Sequence, residues 1–178
     1  MKRMFVLELL KALAYVFPAY VANATPVIFV RIIGRATPID RGASAWDGRR
    51  ILGDGKTFEG LFSALVFGTL VGVLMYLAGN PGGLRSPLEA LTLSAGAMVG
   101  DMLGSFTKRR IGVERGRPAP LLDQLGFLLM ALLTASALHG VPEWFSPAVF
   151  LALLALTVGF HLGTNALAYL LGLKDRPY

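Results

Sequence analysis

The chain contains no cysteine and few charged residues. Only 16% of its 178 residues are Asp, Glu, Lys or Arg, and 54% are hydrophobic, whereas average soluble domains carry roughly 25% charged residues. The lack of cysteine excludes disulfides and thiolate metal sites. The lack of charge leaves too little polar surface to cover the molecule in water. The length favours one domain, so we expect residues 1–178 to form a single unit.

Five apolar stretches are long enough to cross a membrane. A spanning helix needs about 20 apolar residues, and these stretches lie at about 12–33, 60–77, 87–106, 121–138 and 147–173. The sequence therefore predicts an all-α integral membrane protein with about five transmembrane helices. A cleaved signal peptide is the alternative for the first 24 residues, but their apolar run is longer than the apolar region of about 7–15 residues in such signals.

The basic residues lie mostly on one side of the predicted membrane. One side has loops 34–57 and 107–120 and the C-terminal tail, with twelve basic residues against four opposite. Basic residues mark the cytoplasmic side, so we expect the N-terminus outside and both loops and the C-terminus in the cytoplasm. Topology alone accounts for the net charge of +6, so no nucleic acid partner is indicated. The twelve are Arg35, Arg41, Arg49, Arg50, Lys56, Lys108, Arg109, Arg110, Arg115, Arg117, Lys174 and Arg176.

Asp101 and Asp123 fall inside predicted spans, where an acidic side chain costs roughly 2.5–3.5 kcal/mol and marks a functional candidate. Asp101, Ser105 and Lys108 share one helix face by their spacing, and Asp123 enters the next span from the same side. Two carboxylates beside basic side chains suit Mg²⁺ bound together with phosphates. The alternative is structural: Lys108 or Arg109 neutralises Asp101, and Asp123 favours a helix N-terminus.

A Gly-rich segment, residues 52–60, precedes the second span. Gly55-Lys56-Thr57 matches the end of a P-loop, but that motif needs a glycine where Arg50 stands and a strand before it. The segment is therefore predicted to be a turn that brings Lys56 and Thr57 to a helix N-terminus, whose free N–H groups suit an anion. A capped helix start is the alternative, with Asp54 or Thr57 as the cap and Glu59 favoured by the dipole. This capping alternative does not explain why a lysine, Lys56, stands at that end of the helix.

Other polar and small residues inside the spans are interpreted as packing features. Polar side chains in spans commonly form hydrogen bonds between helices, and small residues let helices approach closely. The polar residues are Asn23, Thr25, His161 and Asn165, and the glycines are Gly68, Gly72, Gly96 and Gly100.

Together these segments resemble the CDP-archaeol synthases, archaeal relatives of the CDP-diacylglycerol synthases. The resemblance covers roughly residues 47–127 and rests on three motifs in order. They are residues 53–60; Gly100-Asp101 followed by Ser105 and Lys108-Arg109; and residues 120–125, which include Asp123 and Gln124. Two positions depart from the bacterial signature. Glu114-Arg115 stands where that signature has Lys-Asp, and Gly126 stands where it has a second acid.

The resemblance implies transfer of CMP from CTP to 2,3-bis-geranylgeranyl-glycerol 1-phosphate, with CDP-archaeol and pyrophosphate as products and Mg²⁺ as the cofactor. It implies Asp101 and Asp123 as metal ligands that act with Lys56 and Lys108 as the catalytic set. The implied substrate-binding residues are Asp54, Thr57, Glu59, Ser105, Arg109 and Gln124. A small ion or proton-coupled transporter is the competing hypothesis. It is disfavoured because the outer halves of the spans carry few polar residues.

Overall fold

The computed structural model of the protein describes residues 2–114 and 117–172. Within them the chain forms five helices and no β-strand, apart from two isolated bridges in the first loop. The helices are α1 (Lys2–Ile33), α2 (Phe58–Leu77), α3 (Pro87–Arg110), α4 (Leu122–His139) and α5 (Pro147–Leu170).

Four helices, α1, α2, α4 and α5, are long and apolar enough to cross a membrane. The central helix α3 is less apolar, since it carries two acidic residues and ends in Lys108-Arg109-Arg110. It packs against α1, α2 and α4, and buries Glu89, Gly96 and Ser105. The surrounding helices therefore shield its polar groups, and the predicted all-α membrane fold is confirmed.

The helix bounds differ from the predicted spans at several ends. Helix α1 begins at Lys2, ten residues before the predicted start at 12. Its first turns are exposed, and Lys11 Nζ lies 2.9 Å from Glu8 Oε1 there. Helix α3 continues to Arg110 because basic side chains favour a helix C-terminus. Helix α5 ends at Leu170, and Leu173, Arg115, Lys174 and Arg176 lie outside the described residues.

Close glycine contacts hold the bundle together, as the four-residue spacing predicted. A Cβ built on Gly100 of α3 would stand 2.8 Å from the Cα of Phe127 in α4. A Cβ on Gly68 of α2 would stand 2.9 Å from the carbonyl oxygen of Pro18 in α1. Ordinary carbon contacts begin near 3.5 Å, so larger side chains would separate these helices.

A buried carboxylate stabilises the end of the bundle opposite the long loops. Glu89 is fully buried. It accepts hydrogen bonds from the hydroxyl of Tyr15 at 2.6 Å and from the backbone N–H of Arg85 at 2.5 Å. The guanidinium of Arg85 also donates to the carbonyls of Gly140 and Val141 at 2.9 and 2.7 Å. One network therefore ties α1, α3 and the turn between α4 and α5.

Candidate active site

The loop between α1 and α2 is folded around the buried side chain of Asp40. Its carboxylate accepts two hydrogen bonds from Arg50 and one each from the backbone N–H groups of Gly42, Leu52 and Gly53. The Arg50 guanidinium, with these backbone groups, holds the pKa of Asp40 well below its usual range. Asp40 therefore fixes the Gly-rich turn that follows. Sequence reasoning missed this residue because a lone Asp in a loop carries no distinguishing pattern.

The same loop is docked on the C-terminal end of α3. The Arg110 guanidinium pairs with Asp47 and donates to the carbonyl of Arg50 at 2.6 Å. In return Arg49 donates to the carbonyl of Arg110 at 2.7 Å. The ring of Trp46 lies 5.4 Å from the Arg110 guanidinium, within range of a cation–π contact. The turn that carries the predicted phosphate-binding residues is therefore held against α3.

Helix α2 begins with a side-chain cap. The hydroxyl of Thr57 accepts from the backbone N–H of Gly60 at 3.1 Å, which confirms the capping alternative for this residue. Glu59 accepts from the backbone N–H and hydroxyl of Thr37 at 2.8 and 2.7 Å, and forms an ion pair with Arg35, whose Nε lies 3.2 Å from Glu59 Oε1. Glu59 thus joins the start of the loop to the start of α2.

A cavity of about 1130 Å³ opens beside this turn. It exceeds the roughly 300–1,000 Å³ typical of small-molecule sites, and apolar side chains of α1 and α5 line much of it. Among the predicted site residues, Glu59 and Arg109 are not part of the lining. The other eight line it: Asp54, Lys56, Thr57, Asp101, Ser105, Lys108, Asp123 and Gln124.

Both predicted metal ligands form ion pairs in the cavity wall. Lys56 Nζ lies 2.6 Å from Asp101 Oδ2, and Lys108 Nζ lies 2.8 Å from Asp123 Oδ1. The second oxygen of Asp123 accepts from the backbone N–H of Ala119 at 2.8 Å, just before α4. The sequence-based alternative of an ion pair at Asp101 named the wrong partner. Lys56, delivered by the ordered loop, takes that position instead of Lys108 or Arg109.

The oxygen ligands of the cavity suit a magnesium ion that is bound together with phosphates. Among residues 2–114 and 117–172, no group of three or more His, Asp or Glu side chains could hold a metal by itself. Mg²⁺ is commonly bound through one or two carboxylates, completing its shell with substrate phosphates and water. Asp101 and Asp123 fit that mode, and their lysine partners are cations that a phosphate can also bind.

Sequence reasoning missed the polar residues of α1 and α5 in this cavity. Asn23, His161 and Asn165 line it, although they were interpreted as helix–helix hydrogen bonds. The i, i+4 spacing of His161 and Asn165 in a span free of charged residues was the available signal. Gln124 is 8% exposed, and its Oε1 is buried with no hydrogen-bond partner. A ligand that donates a hydrogen bond would complete it.

Known proteins resemble the chain over nearly its whole length. The sequence model of a family described as CarS-like, CDP-archaeol synthase, matches residues 4–178. A CDP-archaeol synthase from Aeropyrum pernix is 46% identical over 96% of this chain and 93% of the relative. One from Pyrococcus horikoshii is 45% identical over 96% and 98%. A solved structure of an intramembrane enzyme for archaeal membrane lipid biosynthesis is 45% identical, with a TM-score of 0.77, and covers 86% of this chain and 92% of its own.

Proposed function

The chain belongs to the CDP-archaeol synthase family, and we propose that its cavity is the site of a Mg²⁺-dependent cytidylyl transfer. CTP donates CMP to the phosphate of an unsaturated archaeal glycerol-ether lipid, and CDP-archaeol and pyrophosphate are the products. The proposal rests on two ion pairs, Lys56–Asp101 and Lys108–Asp123, in a cavity whose other walls are largely apolar. The family relationship supports a transferase over a transporter.

Asp101 and Asp123 are the residues that would hold Mg²⁺. When bound, the ion neutralises phosphate charge and polarises the phosphate that is attacked. The two carboxylates come from different helices and are fixed by different neighbours, Asp101 by Lys56 and Asp123 by Lys108 and the backbone of Ala119. Their side chains are only 33% and 26% exposed, so their electrostatic interactions are screened less than at the surface.

The two lysines exchange partners when substrates bind. In the absence of substrate each lysine neutralises one carboxylate, which avoids an unpaired charge at membrane depth. With a metal ion and substrate phosphates present, Asp101 and Asp123 would hold the ion, and Lys56 and Lys108 would pair with phosphate oxygens. Thr57 and Ser105 hydroxyls line the same wall and can donate to phosphate oxygens.

The chemical step needs positioning and charge stabilisation. A phosphate monoester has a second pKa near 6, so the lipid phosphate is largely dianionic at neutral pH and requires no general base. One of its oxygens attacks the α-phosphorus of CTP, and the bond from that phosphorus to the bridging oxygen breaks. The electron pair leaves with pyrophosphate, whose developing charge Lys56 and Lys108 stabilise. Phosphoryl-type transfers depend chiefly on such positioning and electrostatics.

The active site faces the cytoplasm in this proposal. The site lies beside the loop of residues 34–57, the end of α3 and the loop that follows α3. These three segments carry ten of the 17 Lys and Arg residues. Basic residues mark the cytoplasmic side, where CTP is available. The protein is a multi-pass membrane protein, and the apolar cavity walls on α1 and α5 supply the lipid side.

Pyrophosphate release by the detergent-purified protein tests the proposal. The assay contains CTP, Mg²⁺ and a geranylgeranyl glycerol-ether phosphate, with each omitted in turn. We expect release that requires all three, and a lipid product that contains CMP. Absence of release with every nucleoside triphosphate and phospholipid tried would contradict the assignment, and ion flux in liposomes would then test the transporter.

A further inference from the structure

The cytoplasmic half of α5 forms a second polar wall in the cavity. Helix α5 buries Val149, Leu153 and Thr157 in its first half, and of its remaining residues only Asn165 is buried. The hydroxyls of Tyr20 and Thr157 are hydrogen bonded at 2.7 Å, between α1 and α5. From Thr157 onward, α5 lines the cavity. Its outer half therefore packs into the bundle, and its inner half borders the substrate space.

Of the α5 residues that line the cavity, His161 and Asn165 are the two whose side chains carry nitrogen. They lie one turn apart on α5, and both line the cavity. The imidazole of His161 packs on the Phe127 ring of α4, with centroids 6.4 Å apart and planes tilted by 34°. Phe127 is on α4, one turn after Gln124. Helix α4, which carries Asp123, therefore also orients the ring of His161.

The two polar walls reach similar depth but differ in charge. His161 lies nine residues before the end of α5, and Asp101 lies nine residues before the end of α3. The cations of the described cavity wall, Lys56, Lys108 and Arg117, all come from the first loop, α3 and the loop after it. Helix α5 has no acidic or basic residue besides histidine. A second anion can therefore bind at α5 through imidazole and amide N–H groups without competing for the lysines.

We propose that His161 and Asn165 bind the phosphate of the acceptor lipid, a role that rests on the proposed transfer reaction. Donors of this kind suit a phosphate monoester. Phe160 and Leu167 of α5, and Leu171 just after it, are exposed apolar residues that also line the cavity. The phosphate thus lies where the apolar wall for the lipid chains meets the charged wall for CTP. Its attacking oxygen faces the α-phosphate across the cavity.

Steady-state kinetics of the full chain test this assignment. In His161→Leu and Asn165→Leu we expect the KM for the geranylgeranyl glycerol-ether phosphate to rise roughly tenfold, the scale of one lost hydrogen bond to a charged group. The KM for CTP should stay unchanged. His161→Gln retains an N–H donor and should recover most of the loss. The control is His139→Leu, since His139 contacts Thr92 at the opposite end of the bundle.

Two outcomes would overturn the assignment while the wild type remains active: an unchanged lipid KM, or an equal rise in the KM for CTP. A wild type that releases no pyrophosphate would instead refute the proposed reaction. If the leucine variants do not fold, Asn165→Asp takes their place. Its carboxylate repels a phosphate monoester, so the lipid KM should rise at least tenfold, and a lipid KM equal to that of the wild type would count against the role.

Discussion

Lys56 and Asp101 are 45 positions apart in sequence, yet their charged atoms lie 2.6 Å apart across the wall of the cavity. The lysine is fixed by the loop that Asp40 orders, and the aspartate is fixed by α3. The docking of that loop on the end of α3 through Arg110 helps to hold the lysine beside the aspartate. The site is therefore assembled by loop folding as much as by helix packing.

Replacing Asp101 should abolish transfer. In Asp101→Asn we expect pyrophosphate release to fall at least about a hundredfold, because the proposed metal site would lose a charged ligand and Lys56 would be left unpaired. The matched control is Glu143→Gln, an exposed acid at the opposite end of the bundle, which should retain wild-type rates. Activity of Asp101→Asn within a few-fold of wild type would argue against its role as a ligand.

Removing the Gln124 side-chain amide should lower activity without lowering stability. Its Oε1 is buried without a hydrogen-bond partner, and such a group costs about 1–3 kcal/mol. We therefore expect Gln124→Leu to have an unchanged or higher Tm in detergent while its rate of pyrophosphate release falls. A loss of both Tm and rate would show instead that the amide stabilises the substrate-free fold.

The packing between α3 and α4 should tolerate no side chain at Gly100. A methyl group there would meet the backbone of Phe127, so Gly100→Ala should destabilise the protein by about 1–3 kcal/mol through overpacking. Gly159→Ala is the matched control, because nothing lies within 4 Å of a Cβ on that helical glycine. Thermal unfolding in detergent measures both, and equal Tm values for the two variants would contradict the packing argument.

The first loop should lose its order in acid. The pKa of Asp40 is lowered in the folded loop, chiefly by the hydrogen bond from Arg50. Its stabilising contribution is therefore fully present above the ordinary carboxyl pKa of about 3.9, and is lost as the pH falls below that value toward the folded pKa. Hydrogen exchange at the backbone N–H groups of Leu52 and Gly53 measures it.

We expect protection of those two N–H groups, after correction for intrinsic exchange, to hold at pH 5 and to decline below about pH 4. In Asp40→Asn it should be low at every pH, since the amide cannot pair with Arg50 as the carboxylate does. Protection in wild type that does not change with pH would mean that Asp40 does not order the loop.

The sequence predicted much of the architecture and the identity of the charged wall. The apolar runs predicted the helices, because a segment that crosses the membrane must satisfy its own backbone hydrogen bonds. Asp101 and Asp123 were identified because charge inside a span is costly. The partner of Asp101 could not be predicted, since it depends on how the loop of residues 34–57 folds. The spacing of His161 and Asn165 was a signal in the sequence, but their position on the cavity wall also depends on where α5 stops packing against α1.

The network of Glu89 and Arg85 fills one end of the bundle, and this restricts how a lipid can enter and leave the cavity. On α2 to α5, the residues that line the cavity lie near the helix middle, as Met98 and Thr157 do, or on the side of the long loops. The opposite end is occupied by the packed network around Glu89. The cavity is thus closed at one end. A lipid that reacts in this cavity would therefore enter and leave on the side of the long loops.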